Sequence, residues 1–454
     1  MTENTKNVIL IIMKKTDFKE RMIKVKFTEL SEKEFTAFEK DHPYGSFYQT
    51  IGWGKLKKRN GWNYYLVGLK DSEKIVAGAL LLEKKLPMGL SFIYSPRGFL
   101  IDYLDEKLLT TFTQEIKKFA RKHHAIFIKI DPYVQLRERD IDGNVVENGF
   151  DNEKAIENLK KLGFRHNGYT LNMEDLQPRF AFALNLEGKT TEELLKDMES
   201  KTRQLIHKNE KNGIITREIT IDEVDKFKEI MQHTADRRGF IDRPLSYYKN
   251  MLTDLKDGAK IIIAEIDLED YNQRLKNEIS ASEKIVKEKE EALSDPTKKI
   301  NPDKTKKKIE QEQANIKRLT KKLEEGDHLL QKHGKILTLG GIIFMLHGNE
   351  ILSLFGGSYE EYKDFLSPYS TYFHMIQYGV EHGYKKYNFY GISGDFANKK
   401  NELYGLYDLK RGFGGHVEEY LGEFDLVTKP FMYHVYHIAF ALYGKVKKWK
   451  RKRG

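Results

Sequence analysis

Three basic positions raise the question of chemistry: Lys57 in the run Lys55 to Arg59, Arg203 in Lys201-Thr202-Arg203, and Lys410 in Lys410-Arg411-Gly412. Lysine and arginine at scattered loop positions can clamp phosphate oxygens or hold the oxyanion that forms as a carbonyl is attacked. Each also has a plainer reading: helix-surface charge for Lys57 and Arg203, a turn residue before glycine for Lys410. Asp102 reads as a turn carboxylate. Asp131, before Pro132, ends a strand, where it could face a cleft. Other chemistries have less support. The chain has no cysteine, which excludes disulfides, thiolate catalysis and cysteine zinc sites and fits a cytosolic, reducing compartment. No convincing serine-histidine-aspartate set, Walker loop or dinucleotide fingerprint occurs. His123-His124 lacks partners at metal-ligand spacing. Arg411-Gly412-Phe413-Gly414-Gly415 resembles a pyrophosphate-binding glycine turn only faintly. Neither a metal nor a cofactor is expected.

The elements that must position these residues follow from pattern. A length of 454 residues implies two or three units, and 39% apolar with 12% aromatic content is enough to bury a core. A formal charge of +10 favours a polyanionic partner: RNA, DNA, anionic lipid or a pyrophosphate. Residues 23–28 alternate as a strand and 31–40 read as a helix. Strands are predicted over 64–68 and 75–84, an amphipathic helix over 110–123 and a buried strand over 125–130. A like order returns with strands over 337–346 and 350–355, a helix over 369–382 and a strand over 386–390. Two related α/β subdomains facing each other are the expectation. Between them aromatics nearly vanish. Leu275, Ile279, Val286 and Leu293, then Ile309, Ile316, Leu323 and Leu330 with Leu319 filling in, form a heptad seam broken at Pro296 and Pro302. That spacing predicts an antiparallel helical hairpin whose basic faces are solvated surface or lie along RNA phosphates. Residues 430–443 are apolar and 445–453 hold seven basic residues, which suits a docked helix with a frayed end, RNA, or an anionic membrane surface. Residues 7–13 are apolar but too short to span a bilayer, and no cleavage site follows them.

Several segments, in order along residues 23–428, resemble the Fem-type aminoacyltransferases (the FemA, FemB, FemX and MurM group). They include Gln49-Thr50-Ile51-Gly52-Trp53-Gly54-Lys55-Leu56-Lys57, Tyr94-Ser95-Pro96-Arg97-Gly98-Phe99, Lys129-Ile130-Asp131-Pro132, Phe355-Gly356-Gly357-Ser358, Phe389-Tyr390-Gly391-Ile392-Ser393-Gly394 and Tyr404 to Phe413. The resemblance implies two tandem GNAT-like (acyl-CoA N-acyltransferase-like) subdomains with an inserted coiled-coil arm. The boundaries are 24–180 for the first subdomain, 181–267 with 335–428 for the second, and 268–334 for the arm. An extension, 1–23, and a basic tail, 429–454, complete the chain. It implies transfer of glycine, alanine or serine from aminoacyl-tRNA to the stem-peptide lysine amine of lipid II or the UDP-linked muropeptide. Similarity of the hairpin to the family's arm favours lipid II. Contact with other bridge-forming transferases is a further expectation, and the basic tail makes peripheral contact with the inner membrane surface another. By register, Lys57 and Arg203 match phosphate ligands of the acceptor, Lys410 matches the oxyanion lysine, and Asp102 matches an aspartate proposed to act as a base or to hold the stem peptide. Trp53, Tyr94 and Tyr359 are expected substrate contacts. The chain departs from the family at Leu409 and Arg411, where phenylalanine and lysine are common. Alternatives from other classes are an acyl-CoA N-acetyltransferase and a non-enzymatic RNA-binding coiled-coil protein.

Overall fold

The computed structural model describes residues 25–451, with side chains as far as Leu442; the expected extension, 1–23, lies outside the described residues. The chain begins with β1 (Val25–Glu29), α1 (Glu32–Lys40), α2 (Ile51–Arg59), β2 (Asn63–Asp71), β3 (Lys74–Lys85), β4 (Ser91–Ser95), α3 (Glu106–Lys122) and β5 (Ala125–Ile130). Local chemistry sets the ends. Ser31 and Glu34 form a capping box on α1, and Asp105 caps α3. Leu109, Phe112, Ile116 and Phe119 place one buried stripe on α3, which covers the sheet as it crosses from β4 to β5.

β6 (Gln135–Glu138), α4 (Glu153–Lys161), β7 (Phe164–His166), β8 (Phe180–Asn185), α5 (Thr191–Asp197), α6 (Ser200–Lys211), β9 (Ile214–Glu218), α7 (Val224–Arg238), α8 (Leu245–Leu255) and β10 (Ala259–Asp267) lead to the hairpin helices α9 (Leu268–Ser294) and α10 (Pro302–His333). The chain returns through β11 (Ile336–His347), β12 (Glu350–Ser358), α11 (Ser367–Glu381), β13 (Lys386–Gly391), α12 (Tyr404–Arg411), β14 (His416–Tyr420), β15 (Phe424–Val427) and α13 (Pro430–Arg451).

Two sheets result, ordered β1-β2-β3-β4-β5-β15-β7 and β6-β14-β8-β13-β12-β11-β10-β9. Their layouts match. Four antiparallel strands end in a parallel pair, β4 with β5 and β12 with β13, and an antiparallel strand then joins the second member of each pair. This is the expected tandem GNAT-like α/β arrangement. Two strands cross the boundaries drawn from sequence: β6 pairs with β14 in the second sheet, and β15 pairs with β5 in the first. The two halves are therefore interlocked. A shared core joins them, with Tyr48, Trp53, Leu80 and Tyr94 packing with Phe227, Tyr247, Met251 and Leu354.

The hairpin occupies the β10–β11 connection, where the first sheet has only the short β2–β3 turn. Asn272 donates to Asp327 at 2.8 Å and Ser282 to Glu312 at 2.8 Å, so the two helices run antiparallel as the heptads predict. The most buried residues of α10 are Ile309, Glu312, Leu319 and Gly326; Ile309 and Leu319 belong to the predicted seam, Ile316, Leu323 and Leu330 are half-buried, and Glu312 and Gly326 lie outside the prediction. Polar layers thus interrupt the seam, and a Cβ at Gly326 would lie 2.1 Å from Asn272 Oδ1. The base of the hairpin packs Tyr271 and Leu275 against Leu337, Leu339 and Tyr362 of the body.

Gly415 closes the turn between α12 and β14 with φ +110, and a Cβ there would meet Ala183 O at 2.1 Å. Both the backbone angle and the close approach demand glycine. Gly415→Ala is expected to lower stability by about 2–4 kcal/mol, read as a lower midpoint in urea unfolding. No helix among the described residues is long and apolar enough to cross a membrane.

Candidate active site

The carboxyl ends of the two parallel strand pairs meet, the place where open α/β sheets bind ligands. β12 and β13 pair only from Glu350↔Lys386 to Leu352↔Asn388 and then part. Tyr390 lies just beyond that point with φ 65, its N–H donating to Asn388 Oδ1 at 2.7 Å. Lys410, in the last turn of α12, points back into this gap. Its Nζ donates to Gly391 O at 2.8 Å and lies 3.4 Å from Tyr390 O. The side chain is buried, 3% exposed, with no carboxylate partner among the described residues. Burial alone pushes the ammonium down to about 7.

Hydroxyls carry the site across to the first sheet. The Tyr390 hydroxyl lies 2.8 Å from that of Tyr48 and donates to Gln177 Oε1; Tyr94 also bonds Gln177. The Tyr94 hydroxyl donates to Asp131 Oδ2 at 2.8 Å, and the Arg97 N–H to Asp131 Oδ1 at 2.6 Å. Burial pushes the Asp131 carboxyl up to about 7 against the opposing pull of Arg97. The Arg97 guanidinium donates to Pro178 O at 2.9 Å and lies 4.3 Å from the Tyr420 ring. Buried Gln49 fixes the loop that bears these groups, donating to Pro96 O at 2.6 Å and accepting from Leu80 N at 2.8 Å.

A cationic end adjoins this cluster. Thr50 caps α2, and Trp53 and Lys57, four residues apart, share one face of it. Lys57 Nζ lies 4.5 Å from the Trp53 ring centroid, and the Trp53 ring stands edge-on to Tyr48 at 4.9 Å. The chain from Lys57 through Trp53, Tyr48 and Tyr390 to Lys410 is continuous. α2 crosses α8 closely, with a bidentate Arg59–Asp254 pair at 2.8 and 3.0 Å. The crossing brings up Arg243, over the Tyr247 ring at 5.3 Å. Neither Lys57 nor Arg243 has an acidic partner among the described residues. Burial, then repulsion by Arg243, pushes Lys57 down to about 8. The buried Trp53 Nε1 and Arg97 Nε are also without acceptors. Two cations without an acidic partner among the described residues, with the unpaired Trp53 indole N–H beside Lys57, have the chemistry to attract an anion.

Of the expected site residues, Lys57, Trp53, Tyr94 and Lys410 come together. Three do not. Arg203 lies in the first turn of α6, and its Nη1 donates to the carbonyls of Lys196, at 2.8 Å, and Met198. It closes the end of α5, and Arg243 is the guanidinium that accompanies Lys57. Asp102 is exposed, its carboxylate accepting from Leu104 N at 2.8 Å; the buried carboxylate is Asp131. Tyr359 is half-buried near the hairpin base, 5.0 Å from the His233 ring. Asp131-Pro132 was visible as a strand end. Tyr48, Tyr390, Arg97 and Arg243 carry no spacing signal of their own, because long-range packing assembles them.

The model of the FemAB family matches residues 30–440. Aminoacyltransferase FemA of Staphylococcus aureus (strain bovine RF122 / ET3-1) is 31% identical over 428 residues, covering 94% of this chain and 99% of that protein. The strain N315 protein of the same name gives the same identity and coverage. The crystal structure of FemX superposes with a TM-score of 0.71 at 27% identity, covering 90% of this chain and 99% of that one. The likeness runs through both sheets and the cleft between them, and the chain belongs to the FemAB family.

Proposed function

We propose that this chain is a tRNA-dependent aminoacyltransferase of peptidoglycan bridge synthesis. It would move one amino acid from aminoacyl-tRNA to the stem-peptide lysine amine of a pyrophosphate-bearing precursor, with lipid II preferred. The observation that carries this is Lys410: a buried cation without a counter-ion, at the mouth of a strand gap, joined by aromatic groups to the Lys57–Arg243 pair. An aminoacyl ester is already activated, so the step needs proximity, a neutral amine and a stabilised oxyanion, not a covalent nucleophile. Lys57 and Arg243 suit the acceptor's pyrophosphate, with the Trp53 indole N–H beside them. The acceptor amine attacks the ester carbonyl. Lys410 donates to the oxygen as charge develops there, and that negative charge raises the lysine's proton affinity when it is needed. The ester C–O bond then breaks, leaving the tRNA ribose hydroxyl and the new amide. Asp131 takes the part expected of Asp102: it accepts the proton that the amine gives up, passed through the Tyr94 hydroxyl, and returns it to the departing ribose oxygen. The reaction belongs to the cytoplasm, at the membrane face where a lipid-carried acceptor presents its sugar-peptide.

If Asp131 acts as this base, protonation disables it. kcat/KM is then expected to fall as pH drops below about 7. Asp131→Asn is expected to lose roughly 100-fold and to flatten that acid limb. A wild-type profile that stays level from pH 8 to 5.5 removes the role.

Incubation with lipid II and a pool of charged tRNAs should give a product heavier by one aminoacyl residue. An acceptor left unchanged by every charged tRNA, or one acetylated from acetyl-CoA instead, overturns the proposal.

A further inference from the structure

The helix that ends the fold has two apolar faces, and the body covers only one. Tyr433 of α13 is buried against Phe127 of β5, and its hydroxyl donates to Asp425 at 2.7 Å. Tyr436 packs on Phe92 and Phe127. On the opposite side of the helix, Phe431, Val435, Ile438 and Leu442 fall at i, i+4, i+7 and i+11, one continuous stripe. They are 76%, 40%, 63% and 56% exposed. Isolated exposed apolar residues need no explanation, but a row of four on one helix face does. Beside the helix lies the β3–β4 hairpin. Its Leu86 and Leu90 pack in the same cluster as Tyr433 and Tyr436, and Met88 at its tip is 83% exposed.

The charge pattern indicates what covers the stripe. From Pro430 to Gly444 no residue is acidic or basic apart from histidine, and seven of the nine residues 445–453 are lysine or arginine, with Trp449 among them. No acidic residue follows Asp425. A charge-free stretch of fifteen residues spans about 22 Å as helix, short of the roughly 30 Å hydrocarbon core, so it lies along a bilayer and does not cross it. Apolar side chains outward, an aromatic at the boundary and a purely cationic end match a lipid surface carrying negative headgroups. A second copy of the helix would bring no acidic group to those cations.

We infer that the outer face of α13, extended by Met88, is a docking surface for an anionic phospholipid bilayer. The surface is read from the helix alone; only its use, presenting the cleft to a lipid-carried acceptor, rests on the function proposed above.

The full chain should co-sediment with vesicles of phosphatidylcholine containing 30% phosphatidylglycerol. Binding to vesicles of phosphatidylcholine alone, or in 0.5 M salt, should be at least tenfold weaker. Phe431→Ser with Ile438→Ser should weaken binding tenfold or more. Lys447→Gln with Lys448→Gln and Lys450→Gln should do the same without touching the stripe. Transfer to a water-soluble acceptor should be unchanged in both variants. Absence of binding to anionic vesicles, or binding that neither variant alters, overturns the inference. So does a dimer in solution that the stripe variant dissociates, which would assign the face to a second copy. Vesicle binding without any transfer activity leaves this inference standing and counts only against the proposed reaction.

Discussion

Lys410→Met is expected to be both the less active enzyme and the more stable protein. Activity depends on the ammonium. Removing one preorganised donor to an oxyanion costs roughly 100-fold or more in kcat, and methionine of similar length leaves the volume filled without the charge. Stability runs the other way. In the unfolded chain this lysine titrates near 10.5, and in the folded protein burial brings it down to about 7. The unfolded state therefore binds more protons between those values, and wild-type stability rises with pH across that window. Below pH 7 the full cost of burying the cation applies, on the order of 5 kcal/mol for such a displacement. Methionine removes that cost but leaves the carbonyls of Gly391 and Tyr390 without the donor they now share, which offsets about 1–3 kcal/mol. The net expectation is a gain of roughly 2 kcal/mol at pH 6 that shrinks towards pH 10. Urea unfolding of both proteins at pH 6 and 9.5 tests it. A destabilised Lys410→Met at pH 6, or a gain that does not depend on pH, would show that Lys410 is not a buried, uncompensated cation. Turnover reduced less than about tenfold would remove it from the chemistry.

That trade explains why part of the site was legible in the sequence and part was not. Repeating patterns were readable because they report burial, which local spacing encodes. β5 was bounded at 125–130, and the heptads located the hairpin. The heptads located Ile309 and Leu319 in the buried seam but missed Glu312 and Gly326, which are buried against partners on the facing helix, Ser282 and Asn272. A polar residue paired across a seam is indistinguishable from a surface one in a list of letters. Lys57, Trp53 and Lys410 were reached through family register, which carries position. The same register set Arg203 and Asp102 where the structure has a helix-end cap and an exposed turn. Arg243 and Asp131 are placed in the site by interactions reaching 186 and 34 residues away in the chain, electrostatic with Lys57 and hydrogen-bonded with Arg97. Nothing near them in sequence announces that. The crossing of β6 and β15 between sheets is hidden for a like reason: a four-residue strand pairs with whichever edge the connections allow.

The second large effect is expected at the Lys57–Arg243 pair, and it has a signature in pH that a merely structural role lacks. Neither cation has an acidic partner among the described residues, so the Arg243 guanidinium makes Lys57 harder to hold charged, and a bound pyrophosphate would relieve that repulsion. Lys57→Met and Arg243→Met are each expected to raise KM for the acceptor by about 10- to 100-fold, the worth of one charge-assisted contact, with kcat little changed. The double variant should lose less than the product of the two, because the groups share a ligand. An acceptor lacking the pyrophosphate should not distinguish the variants from wild type. In the free enzyme Lys57 loses its proton near pH 8, so wild-type affinity for the acceptor, read by equilibrium binding apart from the Lys410 step, should fall as pH rises through that value. Arg243→Met removes the repulsion that helps depress Lys57, and the alkaline limb should then move to higher pH even though binding is weaker. If the limb stays in place while affinity falls, the two side chains do not share one anion. If KM for the pyrophosphate acceptor is unchanged in both single variants, the clamp lies elsewhere.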